Sequence, residues 1–176
     1  MTMTLYPEQT KKILDACCGG RMMWFDKNDS RAIFSDVRAG ELDVSHCTQN
    51  PGRKSVQPDI FSDFTKMAFP DNSFWHVVYD PPHVRGISMD SVTGFSYGSL
   101  EKESWRGDLA NGFSECFRVL KPNGTLIFKW NEVDIPLSDV LSLAPHEPLY
   151  GHRSGKTAKT HWVAFIKPNS GIEDRE

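Results

Sequence analysis

The sequence is poor in cysteine, has no long apolar run and carries no excess of basic charge. Its four cysteines show no Cys-x-x-Cys spacing, so we expect reduced thiols and neither a disulfide framework nor a metal site. No apolar stretch reaches membrane-spanning length and the first ten residues lack the order of a signal peptide, so we expect a cytoplasmic protein with no membrane partner. The net charge of −3 excludes a general basic field for DNA or RNA, so any contact with nucleic acid must be local.

The composition is that of a globular domain, with 39% hydrophobic and 24% charged residues in a chain of 176. We expect residues 1–176 to form one domain, with a flexible tail at 171–176. Short apolar runs that end in an acid or a turn predict strands, and apolar residues at helical spacing predict a helix. The predicted strands lie at 12–16, 31–36, 57–63, 77–80, 125–130, 147–150 and 160–166, the helices at 101–120 and 136–143, and the surface loops at 43–56 and 84–98.

The strongest chemical signal is the stretch Val77-Val78-Tyr79-Asp80-Pro81-Pro82-His83. The prolines lack an N–H and have a fixed φ, so the strand must end at Asp80, at the carboxyl edge where open α/β sheets bind ligands. The Asp80 carboxylate and the Pro81 carbonyl can accept the two N–H groups of an exocyclic amine, which frees the nitrogen lone pair for attack. The His83 ring can stack on a base. The alternative is a plain strand-ending turn, because Asp-Pro and Pro-Pro are common in loops.

A second signal is a glycine turn. The predicted strand at 12–16 opens onto Cys17-Cys18-Gly19-Gly20, and glycine permits both a positive φ and a close approach of the backbone to a ligand. Asp36 ends the next predicted strand, seventeen residues after Gly19. In dinucleotide-type folds an acid about 20 residues past the glycine turn binds ribose hydroxyls, which distinguishes Asp36 from an ordinary solvated acid. We expect Trp24 and Phe25, which lie between the two strands, to pack in the core.

These motifs resemble those of a known family. Asp80-Pro81-Pro82-His83 is similar to the Asp/Asn-Pro-Pro-aromatic motif of amino-group methyltransferases that use S-adenosyl-L-methionine, with histidine in place of Tyr, Phe or Trp. Asp15-Ala16-Cys17-Cys18-Gly19-Gly20 resembles in part the first cofactor motif of class I methyltransferases, with a cysteine at the first glycine position. The segments 63–74 and 118–126 resemble the class I segments before the fourth and fifth strands. The first cofactor motif, followed by the aromatic segment 21–27, is similar to small phage- or plasmid-type methyltransferases.

The resemblance implies an α/β, Rossmann-like class I methyltransferase fold, with a mostly parallel sheet of about seven strands and an antiparallel closing hairpin. It implies S-adenosyl-L-methionine as the cofactor. Asp36 would bind the ribose, Asp63 would accept from the adenine amino group, and Phe64 would pack on the adenine. The implied catalytic turn is Asp80, Pro81, Pro82 and His83, and the implied cofactor residues are Asp15, Ala16, Cys17, Gly19, Gly20, Asp36, Asp63 and Phe64.

The expected reaction is methyl transfer to an exocyclic amino nitrogen of a nucleobase, adenine favoured, in DNA or RNA. Residues 84–98 are a candidate lid whose Arg85 and Tyr97 would meet the substrate, and the basic segment 151–159 would contact phosphate through Arg153 and Lys156. Alternative acceptors are a nucleotide, a small molecule or a protein amide. A regulatory protein that binds S-adenosyl-L-methionine without catalysis is the alternative from outside the enzymes. Target recognition could also come from a partner subunit, because the sequence contains no separate domain for it.

Overall fold

The computed structural model describes residues 11–45, 51–153 and 158–169. Within these ranges the chain forms nine strands and three helices. The strands are β1 (Ile13–Asp15), β2 (Ala32–Asp36), β3 (Gly40–Asp43), β4 (Arg53–Val56), β5 (Ile60–Phe61), β6 (Phe74–Tyr79), β7 (Leu120–Asn131), β8 (Tyr150–Arg153) and β9 (Thr160–Ile166). The helices are α1 (Val92–Tyr97), α2 (Trp105–Val119) and α3 (Leu137–Leu141).

Seven of these strands form one sheet in the order β5-β2-β1-β6-β7-β9-β8. The first five strands are parallel to their neighbours, and β9 runs antiparallel to both β7 and β8. This confirms the predicted Rossmann-like sheet with its antiparallel closing hairpin. The chain moves outward from β1 to β2 and β5 and then returns to β6 on the other side of β1. The carboxyl ends of β1 and β6 therefore flank the switch point where sheets of this kind bind ligands.

Helix α2 packs on one face of the sheet. Its buried side chains repeat at three- and four-residue intervals, which confirms the helix predicted at 101–120, although it begins only at Trp105 and ends at Val119. The Phe113 ring lies 5.4 Å from the Tyr79 ring and 4.9 Å from the Phe128 ring, measured between centroids. These contacts tie α2 to β6 and β7, the strands that lead to the edge of the sheet where Asp80 lies. The buried residues that α2 contributes are Trp105, Leu109, Gly112, Phe113, Cys116, Phe117 and Val119.

Two segments that were predicted as loops contain regular structure. The prediction for 43–56 is wrong in part, because β4 pairs with β3 as a separate antiparallel hairpin. Only Val56 of β4 is buried, so this hairpin lacks the alternation that identifies a half-buried strand. The segment 84–98 contains α1, whose Ser91 hydroxyl accepts a hydrogen bond from the Gly94 N–H at 3.0 Å. A helix of six residues is too short to show a helical period in the sequence.

Further differences concern the connections. Between β1 and β2 the chain forms turns without a helix. Trp24 packs edge-on against Phe34 at 4.8 Å, as expected for a core residue, whereas Phe25 is fully exposed and its predicted burial is wrong. The first strand of the closing hairpin, predicted at 147–150, lies at Tyr150–Arg153. The tail at 171–176 lies outside the described residues.

Two general features of the described residues bear on function. None of their helices is long and apolar enough to cross a membrane. They also contain no cluster of three or more His, Cys, Asp or Glu side chains that could hold a metal ion. Cys17, Cys18 and Cys116 are free thiols, and Cys47 is not among the described residues.

The close packing of α2 on β6 predicts a specific cost of substitution at Gly112. A Cβ added there would overlap the Tyr79 hydroxyl and lie 2.8 Å from Cδ2 of Phe64. We therefore expect Gly112→Ala to lower the free energy of unfolding by about 1–3 kcal/mol in urea denaturation, because overpacking outweighs the better helix propensity of alanine.

Gly107, on the exposed side of the same helix, is the matched control. A Cβ there would meet no atom within 4 Å, so Gly107→Ala should stabilise the protein by up to about 1 kcal/mol. A Gly112→Ala variant as stable as the wild type would contradict this description of the core.

Candidate active site

A small cavity lies at the switch point, between the ends of β1 and β6. The glycine turn after β1 contributes Cys17, Gly19 and Gly20 to its wall. The turn after β6 contributes Asp80, Pro81 and His83, and Lys129 and Tyr97 complete the opposite sides. The cavity measures about 50 Å³, which is room for a few water molecules. The predicted glycine and diproline turns therefore face one shared space.

The glycine turn is held by the acid at the end of β2. The Gly19 N–H donates to Oδ2 of Asp36 at 2.9 Å, and Asp36 is almost fully buried. Gly19 has a φ of +47°, and a Cβ at this position would lie 3.3 Å from the Ser96 carbonyl oxygen on α1. Glycine is needed here both for its backbone conformation and for the close approach of α1.

Arg38 joins the same carboxylate to α1. Its Nε donates to Oδ1 of Asp36 and its Nη2 donates to Oδ2, both at 2.9 Å. Its Nη1 donates to the Phe95 carbonyl oxygen, also at 2.9 Å. Arg38 was not among the site residues predicted from the sequence. Its signal is its position two residues after the predicted ribose-binding acid, which places a cation within reach of that acid.

Asp80 follows directly on β6 and is paired with a lysine from the adjacent strand. Its Oδ2 accepts a hydrogen bond from Nζ of Lys129 at 2.6 Å. Burial raises the pKa of Asp80 above its ordinary value, and the charge of Lys129 opposes that rise. Lys129 was also missed in the sequence, although a lysine between the apolar residues of the run 126–130 is an unusual feature for a buried strand.

His83 is held among aromatic rings. Its ring lies edge-on to Tyr97 at 5.9 Å and to Trp130 at 6.4 Å. Burial lowers the pKa of His83 below its ordinary value, which favours the uncharged imidazole at neutral pH. The preceding Pro82 contacts the backbone at Gly98, where an added Cβ would lie 2.7 Å from Cγ of Pro82. The diproline turn thus fixes the position of a neutral aromatic ring beside the cavity.

Asp15 and Ala16 lie behind the glycine turn. The Asp15 carboxylate is fully buried and accepts hydrogen bonds from Nε1 of Trp24 at 2.7 Å and from the Cys17 N–H at 3.3 Å. Burial raises the pKa of Asp15 to about 7. Ala16 belongs to the core, and its N–H donates to the Val78 carbonyl oxygen at 2.9 Å. Both residues shape the turn from within the protein.

Asp63 and Phe64 are not part of the cavity wall. Asp63 is exposed, and its Oδ1 accepts hydrogen bonds from the Thr65 N–H and hydroxyl, both at 2.8 Å. Phe64 packs against the Tyr79 ring at 5.7 Å and borders the main core. In this arrangement the two side chains are engaged in a turn and in the core respectively.

Among the predicted substrate residues, Tyr97 lines the cavity and Arg85 and Arg153 do not. Arg85 donates from Nε and Nη2 to the Asp134 carboxylate, both at 2.9 Å. Arg153 lies on β8, where Nη2 is 3.2 Å from Oε1 of Glu132. Lys156 lies outside the described residues.

A larger groove of about 720 Å³ adjoins the cavity and shares Gly19, Gly20, Met22 and Ser96 with it. Three elements form its walls: the turn after β1, strand β4 and helix α1. Arg21 is fixed at its base by hydrogen bonds to the Lys27 and Gln57 carbonyl oxygens, both at 2.6 Å, and to Asp59 at 2.9 Å. The basic residues that line the groove are Arg21, Lys27, Arg53 and Lys54.

No protein-family model and no curated protein matches the sequence. Solved structures do match. The PH0226 protein from Pyrococcus horikoshii has 18% identity and a TM-score of 0.57, over 90% of this chain and 82% of that one. A SAM-dependent methyltransferase from Methanosarcina mazei has 14% identity and a TM-score of 0.52, over 93% and 95% of the two chains. A TehB-like SAM-dependent methyltransferase from Corynebacterium glutamicum has 15% identity and a TM-score of 0.53, over 92% and 82%.

At these identities the likeness establishes the fold. The strand order and the structural neighbours agree, and the chain has the Rossmann-like fold of class I methyltransferases.

Proposed function

We propose that the protein is an enzyme that transfers a methyl group from S-adenosyl-L-methionine to an exocyclic amino nitrogen of a nucleobase, adenine first, in DNA or RNA. One observation carries the proposal. The Asp80-Pro81-Pro82-His83 turn and the Gly19-Gly20 turn follow neighbouring parallel strands and line the same cavity. An acceptor held at the first turn would lie beside a cofactor held at the second.

The residues around the glycine turn fit this cofactor. Asp36 offers a buried carboxylate for ribose hydroxyls, next to a glycine turn that lets a ligand approach the backbone. The groove of about 720 Å³ falls within the usual range of small-molecule sites. When bound, S-adenosyl-L-methionine supplies an electrophilic methyl group on a sulfonium. Gly19, Gly20 and Asp36 are the residues that would hold it.

The diproline turn supplies the acceptor chemistry. Oδ1 of Asp80 and the Pro81 carbonyl oxygen would accept the two N–H groups of the base amine and hold its lone pair toward the glycine turn. Methylation leaves the nitrogen with a positive charge and one surplus proton. The Asp80 carboxylate lies where it can stabilise that charge and take the proton at Oδ1.

The base itself would stack on His83. Because burial keeps this imidazole neutral, the ring adds no positive charge next to a cationic methyl donor. Lys27 and Arg53 are exposed at the walls of the adjoining groove, so they would remain available for phosphates beside the target nucleotide when the cofactor lies in that groove, despite the net charge of −3. This local basic lining favours a nucleic acid over an isolated small molecule.

The segment 84–98 would act as the lid. Helix α1 covers Gly19, and the cavity beneath it is far smaller than the cofactor. Arg38 links α1 to Asp36, because it donates hydrogen bonds both to the Asp36 carboxylate and to the Phe95 carbonyl oxygen. Ribose hydroxyls that bind Asp36 would compete with Arg38 for the same oxygens, so cofactor binding would release α1. The Asp36 carboxylate would thus bind Arg38 in the free protein and the ribose in the complex.

Substitutions of Asp36 and of Arg38 are expected to have different effects on cofactor binding. In calorimetric titrations with S-adenosylhomocysteine, Asp36→Ala should weaken binding about tenfold or more, because it removes charge-assisted hydrogen bonds to the ribose. Arg38→Met should bind at least as tightly as the wild type and should exchange the amide hydrogens of α1 faster, because a competitor is lost. Asp139→Ala, on the exposed side of α3, serves as the control.

A folded wild-type protein that does not bind S-adenosyl-L-methionine or S-adenosylhomocysteine would overturn the proposed function. Equal binding by the wild type and Asp36→Ala would instead contradict the assignment of Asp36 to the ribose site.

Turnover should depend on Asp80. We expect Asp80→Ala to lower transfer of tritiated methyl groups into DNA, tRNA or rRNA by about 100-fold or more, because the side-chain oxygen that accepts the amine N–H and stabilises the developing cation is lost. Its affinity for S-adenosylhomocysteine, which carries no sulfonium charge, should be unchanged.

The same assay separates the alternatives. Transfer to free nucleosides with no salt dependence would favour a small-molecule acceptor. Cofactor binding with no transfer to any of these acceptors would favour a non-catalytic protein.

The role of His83 predicts that the size and flatness of the ring matter more than its nitrogens. His83→Phe should retain transfer, whereas His83→Ala should raise the KM for a polynucleotide acceptor by about tenfold, because a stacking contact is lost. Steady-state kinetics at fixed cofactor concentration measures both. A complete loss of transfer in His83→Phe would instead assign His83 a role in hydrogen bonding or proton transfer.

A further inference from the structure

We propose that Lys129 is a positioning residue of this site, which keeps the Asp80 carboxylate in its charged form and determines which of its oxygens meets the acceptor. The inference rests on the proposed function and names a residue that neither of the two sequence motifs contains. Lys129 acts through Asp80 and need not touch the substrate.

The geometry of the pair supports this role. Tyr79 of β6 and Phe128 of β7 are in register, so Asp80 and Lys129 are the next residues of two adjacent strands. Nζ of Lys129 lies 2.6 Å from Oδ2 of Asp80, and only about a quarter of either side chain is exposed. Oδ1 accepts no hydrogen bond from any residue in the described part of the chain. Lys129 therefore occupies one oxygen and leaves the other for the acceptor.

Other charged and titratable groups surround Asp80. Asp15 faces it from the end of β1, Arg38 from the segment after β2, His83 from its own turn and Tyr97 from α1. Burial favours the neutral acid at Asp80, and Asp15 would add to that preference if ionised. The Arg38 charge is already matched by Asp36. Lys129 is thus the main charge that opposes burial at Asp80, ahead of His83.

The charge state of Asp80 matters for the proposed chemistry. A neutral carboxylic acid would have no negative charge to stabilise a methylated nitrogen and could not accept its surplus proton as readily. The ion pair also has no net charge. Lys129 without the Asp80 charge would be a single cation beside a cationic sulfonium and would repel it. The effects of substitutions at Asp80 and Lys129 on cofactor binding should therefore not be additive.

The pH dependence of transfer tests the inference. Removal of the Lys129 charge raises the pKa of Asp80, so Asp80 becomes protonated at a higher pH than in the wild type. Activity that needs the carboxylate therefore begins to fall at a higher pH when the solution is acidified. In Lys129→Met we expect the acid limb of the profile to move up by about one unit or more, which lowers the rate on that limb about tenfold. Tritiated S-adenosyl-L-methionine with single-stranded DNA oligonucleotides and tRNA as acceptors provides the assay.

Three variants sharpen the result. Lys129→Arg keeps the charge and should keep the wild-type pH profile. Lys121→Met, on the same strand but stacked on Trp75 outside the cavity, is the matched control and should change nothing. Asp80→Asn should bind S-adenosyl-L-methionine less tightly relative to S-adenosylhomocysteine, and the double variant with Lys129→Met should recover that ratio. A Lys129→Met profile that coincides with the wild-type profile would overturn the inference.

A measurement without ligand separates this inference from the proposed function. Carbon-13 NMR titration of the Asp80 carboxyl group should show a higher pKa in Lys129→Met than in the wild type, and Lys129→Gln replaces it if the methionine variant does not fold. If that pKa rises but the wild type transfers no methyl group, the pairing stands and the proposed function fails. If the wild type transfers methyl groups and neither the pKa nor the pH profile moves, the inference fails.

Discussion

The parallel pairing of β1 with β6 is the interaction on which the rest of the structure depends. It sets Asp15 opposite Val78 and brings two different turns to one edge of the sheet. One turn is shaped by a glycine with positive φ, and the other by two prolines that end the strand. Helix α2 packs on the face of the sheet beside this pair, where the Phe113 ring contacts β6 and β7. The positions of the glycine turn and the diproline turn follow from that register.

The site is organised as two ion pairs whose carboxylates have further uses. Asp36 is held by Arg38 and the Gly19 amide, and Asp80 is held by Lys129. Buried carboxylates need such partners, because an unpaired charge inside a protein is costly. In our account the cofactor ribose replaces Arg38 as the partner of Asp36. The acceptor amine binds the free oxygen of Asp80 while Lys129 stays on the other oxygen. The first pair would control access to the site, and the second would control its chemistry.

The sequence predicted those parts that local patterns determine. The parallel strands, the spacing of α2 and the end of β6 just before Asp80 follow from apolar runs, helical period and proline chemistry. The hairpin of β3 and β4 and the short helix α1 lack such patterns, because one is mostly exposed and the other has six residues. Arg38 and Lys129 were missed for another reason. Arg38 contacts α1 through the Phe95 carbonyl and Lys129 contacts Asp80 from the adjacent strand, and a single sequence does not contain such contacts.

Identification of the methylated atom tests the central claim most directly. The wild-type protein would be incubated with S-adenosyl-L-methionine that carries a trideuterated methyl group, together with DNA, tRNA and rRNA. The nucleic acids would then be digested to nucleosides for mass spectrometry. Our account predicts the label on an exocyclic amino nitrogen of a base, adenine first. Label on a ring carbon or a ribose oxygen, or no label in any nucleoside, would contradict it.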